Sequence, residues 1–294
     1  MVHRQTARLF LIALLAAAAV CSAPALARTH APRAAPGMPA LRSNAVYVLD
    51  ETNSAVVLSR QSDVAMPIAS ITKLMTALVV LDAGQPLDEL VEITAEDRVG
   101  TKSTVSRLDV GTGLTRADLL HLALMASENR AAHALGRSYP GGLPACIEAM
   151  NAKARALGMR STHFVEPTGL SSDNVASSED LAKLVLAAAQ SPMIQEYSTD
   201  KSYSVPVRRR QVEFHNTDSL VRNPTWNIIV QKTGYIAEAG RCLVMKAIFE
   251  GRAVVIVLLD SAGKHTRVAD ARRIRKWLES RLAADAARAA TGRA

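Results

Sequence analysis

The stretch Pro67-Ile68-Ala69-Ser70-Ile71-Thr72-Lys73-Leu74-Met75-Thr76-Ala77 decides how this chain is read. A helical pattern runs from Ser70 to about Ala83 and is closed by Gly84. Residues three apart on a helix share a face, so the Lys73 amine can reach the Ser70 hydroxyl. A free serine is a poor nucleophile and needs an adjacent base. A lysine can be that base only when its ammonium is deprotonated, which takes burial or a neighbouring positive charge. Backbone N–H groups at the start of the helix point toward negative charge developing on an attacked carbonyl.

Working outward, Ala45-Val46-Tyr47-Val48-Leu49 and Ala55-Val56-Val57-Leu58 are β-rich runs separated by the turn residues Asp50 to Asn53, a hairpin. Beyond the Ser70 helix the middle of the chain is helical. Thr115 caps a helix through Met125, and further helices cover about Arg130 to Arg137, Leu143 to Leu157, and Leu181 to Gln190, the last opened by Ser178-Glu179-Asp180. Strands return at Ile228 to Lys232, Cys242 to Phe249, and Val254 to Leu259, and an amphipathic helix follows from about Arg267 to Leu282. Strands at both ends with helices between them predict a mixed α/β fold. The N- and C-terminal strands would share one antiparallel sheet, with the helical lobe inserted.

Two more short motifs follow the first in order. Ser127-Glu128-Asn129 falls between two helical patterns, on a tight loop that can project a hydroxyl and an amide into a cleft. Lys232-Thr233-Gly234 closes a strand. Ser127 can relay a proton to a leaving amine, and Asn129 can hold Lys73 or a substrate amide. Lys232 and Thr233 offer a cation and a hydroxyl to a substrate carboxylate. Lys232 also provides the positive charge expected to lower Lys73. Gly234 leaves room for substrate beside the strand. Each motif is weak alone; their order and placement carry the information. S-x-x-K, S-x-N and K-T-G in succession are the signature shared by penicillin-binding proteins and class A β-lactamases.

At these residues the chain resembles the low-molecular-mass penicillin-binding proteins, the D-alanyl-D-alanine peptidase family. The longer strings Leu122-Ala123-Leu124-Met125-Ala126-Ser127-Glu128-Asn129-Arg130-Ala131-Ala132, Phe164-Val165-Glu166-Pro167-Thr168-Gly169-Leu170-Ser171 and Gly240-Arg241-Cys242-Leu243-Val244-Met245 resemble its endopeptidase branch. The resemblance implies a β-lactamase/transpeptidase-like fold and a Ser70 acyl-enzyme with Lys73 as proton acceptor. Ser127 and Asn129 would complete the site, and Lys232, Thr233, Gly234 and Tyr235 would bind substrate on an edge strand. The oxyanion hole would be the backbone N–H groups of Ser70 and Tyr235. Peptidoglycan stem peptides would be the substrate, with cleavage of cross-links or trimming of a terminal D-alanine. β-Lactams would act as covalent inhibitors, and no cofactor is implied. A class A β-lactamase is the main rival, since Glu166-Pro167 resembles its water-activating pair. The strings around Glu166 and both serines match the peptidases instead, so Glu166 is read as a loop residue. A wall-binding protein without activity would not need Ser70, Lys73, Ser127 and Lys232 together.

The ends of the chain read differently. Arg4 and Arg8, the apolar run Leu9 to Val20, and Ala25-Leu26-Ala27 form a secretory signal peptide over residues 1–27. Val20 before Cys21 does not fit a lipidation site. Residues 28–43 are a Pro/Ala/Arg-rich flexible leader, 44–282 the catalytic domain, and 283–294 an Ala/Arg-rich tail. The expected location is the periplasm, with at most peripheral membrane contact. Removing the signal peptide removes two of 35 basic residues and none of 27 acidic ones, leaving 33 − 27 = +6. That mild excess suits an anionic wall, and the absence of an aromatic-interleaved basic stripe argues against nucleic acid. Arg208-Arg209-Arg210 is read as a hairpin tip. Cys146 and Cys242 read as small buried apolar residues, and no Cys/His spacing suits a metal.

Overall fold

A computed structural model of the chain describes residues 37–100, 106–290 and 292. The expected signal peptide, Cys21 and most of the expected leader lie outside the described residues. Five strands form the main sheet: β1 (Ser43–Asp50), β2 (Ala55–Arg60) and, from the end of the chain, β9 (Asn227–Ile236), β10 (Gly240–Phe249) and β11 (Arg252–Ser261). Their order is β2-β1-β11-β10-β9, every neighbouring pair is antiparallel, and β9 is an edge. The N-terminal strand thus pairs with the last strand, Ser43 opposite Ser261 and Asp50 opposite Val254.

The expected hairpin and shared sheet are therefore present. β11 explains why its sequence is a continuous apolar run. Val255, Val257 and Leu259 face the core of the helical lobe, whereas Val254, Ile256 and Leu258 face the second core. That second core lies under the final helix α7 (Thr266–Ala290), through Ala271, Ile274 and Leu278. A strand covered on both faces has no polar alternation to show. α7 runs past the predicted boundary, so the tail continues as helix through Ala290. Buried Asp270 fastens α7 to the start of β1, accepting from the Arg42 and Ser43 backbone N–H groups at 2.9 and 2.8 Å.

The inserted lobe begins with β3 (Met66–Pro67) and α1 (Thr72–Asp82), followed by the short pair β4 (Leu90–Glu92) and β5 (Gly113–Thr115). Then come α2 (Arg116–Met125), α3 (Asn129–Arg137), α4 (Gly142–Ala156), β6 (Val175–Ala176), α5 (Ser178–Ala188) and α6 (Pro192–Thr199). A hairpin, β7 (Ser202–Val207) with β8 (Arg210–His215), returns the chain to β9. α1 is buried from Thr72 to Val80, so it is the lobe's central helix. Thr115 caps α2 in a capping box with Asp118, as its sequence predicts. α6 was not anticipated; its start is Ser191, whose hydroxyl accepts from the Ile194 N–H, followed by Pro192. Arg208 and Arg209 do form a hairpin tip, and Arg208 pairs with Asp109 at 2.9 Å.

Cys146 and Cys242 are free and buried, and burial pushes both thiols up to about 12. They behave as the small apolar residues the sequence suggests. Among the described residues no helix is long and apolar enough to cross a membrane.

Candidate active site

Ser70 sits in a 3-10 turn, Ala69–Ile71, and α1 proper begins two residues later at Thr72. The preceding Ala69 has a left-handed backbone, φ 49°, which an alanine adopts only when its surroundings force it. Two glycines let neighbouring segments pack directly against this turn. A Cβ on Gly169 would lie 1.9 Å from the Ala69 carbonyl oxygen, and one on Gly234 would lie 3.1 Å from the Ser70 nitrogen. Both segments press against the nucleophile's turn through their missing side chains. This corrects the expectation for Gly234: its bareness accommodates the Ile68–Ser70 backbone, not only a substrate.

Lys73 is fully buried beneath Ser70. Its Nζ donates to Ser70 Oγ at 3.0 Å, to Asn129 Oδ1 at 2.8 Å and to the Thr168 carbonyl at 2.5 Å. Burial lowers its pKa from 10.5 to about 8, while the carboxylates of Glu166 and Glu128 pull it upward. The sequence left two causes open for this lowering, burial and the charge of Lys232. Burial is the principal cause, and the repulsion falls on Lys232 instead. An amine neutral near pH 8, at hydrogen-bond distance from a serine hydroxyl, can take its proton.

A second Ser–Lys pair faces the first. Ser127 is the middle residue of the three-residue connection between α2 and α3, also with left-handed backbone, φ 59°. Glu128 accepts from the Ala131 N–H at 2.9 Å and caps α3, which leaves Asn129 in the first turn, aimed at Lys73. Lys232 Nζ donates to Ser127 Oγ at 2.9 Å, joining the edge strand to the helical lobe. Burial, then the Lys73 and Arg267 cations, hold Lys232 well below the ordinary lysine range. Thr233 Oγ1 is 2.6 Å from Thr217 Oγ1. Tyr235, two residues further along the strand, is 57% exposed. The structure thus gathers Ser70, Lys73, Ser127, Asn129, Lys232, Thr233 and Gly234, with Tyr235 at the rim.

Three participants escaped the sequence reading. Thr168 contributes only its carbonyl, which has no side-chain signature. Asn174 ties the Glu166 loop to α1, accepting from Val165 N at 2.7 Å and donating to Thr72 Oγ1 at 3.1 Å. Arg267, at the start of α7, donates to the Gly234 carbonyl at 2.9 Å. Glu166, read as a loop residue, is the loop's anchor. Its Oε2 accepts from Thr168 N and Oγ1 at 2.6 and 2.5 Å, and its Oε1 from Gly169 N and Asn174 Nδ2 at 2.5 and 2.9 Å. A carboxylate so engaged has little capacity left to activate a water, unlike the β-lactamase residue it resembles.

Two serine–lysine pairs meeting between a helical lobe and the edge of an antiparallel sheet define a serine hydrolase of the penicillin-binding type. The family model described as D-alanyl-D-alanine carboxypeptidase matches residues 31–263, and the chain belongs to that family of serine DD-peptidases. It is 48% identical to a D-alanyl-D-alanine endopeptidase of Pseudomonas aeruginosa over 82% of this chain and 78% of that one. It is 44% identical to the Escherichia coli protein of the same name over 93% and 89%. The crystal structure of the Streptomyces K15 DD-transpeptidase superposes with a TM-score of 0.76 at 27% identity, covering 81% of this chain and 97% of that one.

Proposed function

We propose that this DD-peptidase is an exported endopeptidase that hydrolyses peptide cross-links of peptidoglycan through a Ser70 acyl-enzyme. Ser70 Oγ attacks the D-alanyl carbonyl carbon while its proton passes to Lys73 Nζ. The backbone N–H groups of Ser70 and Tyr235 hold the oxyanion. The C–N bond then breaks, and the leaving amine takes a proton through Ser127. Water repeats the sequence on the ester and frees Ser70. Asn129 fixes the Lys73 amine. Lys232 and Thr233 receive the carboxylate of the leaving residue, and that negative charge restores the Lys232 proton which burial disfavours.

The observation that carries this reading is the 3.0 Å contact from a buried, depressed lysine to Ser70. The endopeptidase assignment is supported by the names of the relatives above, and the carboxypeptidase alternative by the family description. Residues 1–27 are proposed to be removed on export to the periplasm.

A fluorescent penicillin is expected to label the wild type and not Ser70→Ala; equal labelling of both would remove Ser70 from its role. Incubation with purified muropeptide dimers and pentapeptide monomers, followed by mass spectrometry, separates the two activities. Release of monomers from dimers supports cross-link cleavage. Loss of one alanine from pentapeptides, with dimers intact, overturns it in favour of trimming.

A further inference from the structure

Just beyond Gly234 the edge strand carries a cationic arrangement that the reaction described above does not use. Arg241 in β10 is the cross-strand partner of Tyr235 in β9. Its guanidinium lies over the exposed Tyr235 ring, 4.4 Å from the centroid. No carboxylate among the described residues is ion-paired with Arg241. Asp260, near the end of β11 and beside Gly240, accepts instead from Asn44 Nδ2 at 2.6 Å. Two further cations stand close by: Arg267 on the Gly234 carbonyl, and Lys232. The cations feel one another: burial and then Arg241 lower the pKa of Arg267, and burial, then Lys73 and Arg267, that of Lys232. Asp218 offsets part of this repulsion on Arg267 and Lys232, and an arriving anion would relieve what remains around Arg241.

Stacking on an aromatic face restrains a guanidinium while leaving its N–H edge free to fork a carboxylate. Thr233 and Tyr235 are two residues apart on β9 and so share a face, about 7 Å apart at ~3.3 Å per residue, whereas Lys232 projects from the other face. A peptide lying along β9 with one carboxylate at Thr233 therefore meets Arg241 about two extended residues away. A lone terminal D-alanine cannot reach both.

We propose that Arg241, held on the Tyr235 ring, is a specificity-determining anion subsite that takes a second carboxylate of the peptide laid along β9. The substrate class this selects is an acidic, multi-residue stem peptide. The inference rests on the DD-peptidase reading and narrows its substrate.

The test uses two synthetic cross-linked stem peptides that differ only in carrying a free acid or a carboxamide about two residues from the carboxylate bound at Thr233. Steady-state kcat and KM are measured for the wild type, Arg241→Gln and Arg241→Lys. The preference for the acid, as the ratio of the two kcat/KM values, is expected to fall about tenfold in Arg241→Gln, through KM, and to be partly restored in Arg241→Lys; tenfold corresponds to about 1.4 kcal/mol. An unchanged ratio, or an equal loss on both peptides, overturns the subsite. Penicillin acylation of the wild-type Ser70 is followed in parallel. Its absence would sink the underlying reading, whereas its presence with an unmoved ratio sinks only the inference.

Discussion

If Lys73 is the acylating base, its titration sets the pH profile of the enzyme. Only the neutral amine can accept the Ser70 proton, so the rate must follow the deprotonated fraction. With the pKa lowered to about 8, that fraction is about 1% at pH 6, about 10% at pH 7, one half near pH 8 and about 90% at pH 9. The limiting acylation rate should therefore rise about fifty-fold from pH 6 to pH 8 and level off above pH 9. The assay is stopped-flow acylation by a fluorescent penicillin at saturation, which separates proton transfer from carboxylate binding at Lys232. A profile flat from pH 6 to 9 would show that Lys73 is not the base. A rise continuing beyond pH 10 would show that burial leaves Lys73 at its ordinary value. Stability must move with the same sign, because a buried lysine with a lowered pKa destabilises the fold while it is protonated. Lys73's penalty, about 3 kcal/mol for a shift from 10.5 to about 8, is full below pH 8 and relieved as pH rises through 10.5.

Glu166→Gln removes the carboxylate that raises Lys73 and turns an amide toward the Thr168 and Gly169 N–H donors. The acylation midpoint is expected to move to lower pH while thermal stability falls by about 1–3 kcal/mol; an unshifted midpoint would make Glu166 a loop anchor alone. Gly234→Ala would bring a Cβ to 2.9 Å from the Ile68 carbonyl and 3.1 Å from the Ser70 nitrogen. Displacing that turn by a few tenths of an ångström should cut acylation by about tenfold, given that 1 Å costs about a hundredfold; wild-type acylation rates would refute the packing argument.

Much of the fold is legible because it is written in local pattern. Apolar runs mark β1, β10 and β11, and Thr115 announces α2. The chemistry is legible for a similar reason: Ser70 and Lys73 are one helical turn apart, so their meeting needs only a helix. The strand containing Lys232 extends further than predicted, through Ile236, because pairing with β10 continues past the apolar residues. The anchors Asn174 and Arg267 were not legible, since each acts on a segment remote in sequence: Asn174 on Thr72, Arg267 on Gly234.

The sequence by itself determined the helix that carries Ser70 and Lys73, the loop that carries Ser127 and Asn129, and the strand that carries Lys232, because periodicity and capping act over a few residues. Only the tertiary structure decided that Lys73 is fully buried, that Thr168 and Asn129 close around its amine, and that Gly169 and Gly234 press on the Ser70 turn. Burial and electrostatic shifts are sums over neighbours from distant parts of the chain. The reactivity of Ser70 is therefore a property of the assembled lobe and sheet, not of the four residues that announce it.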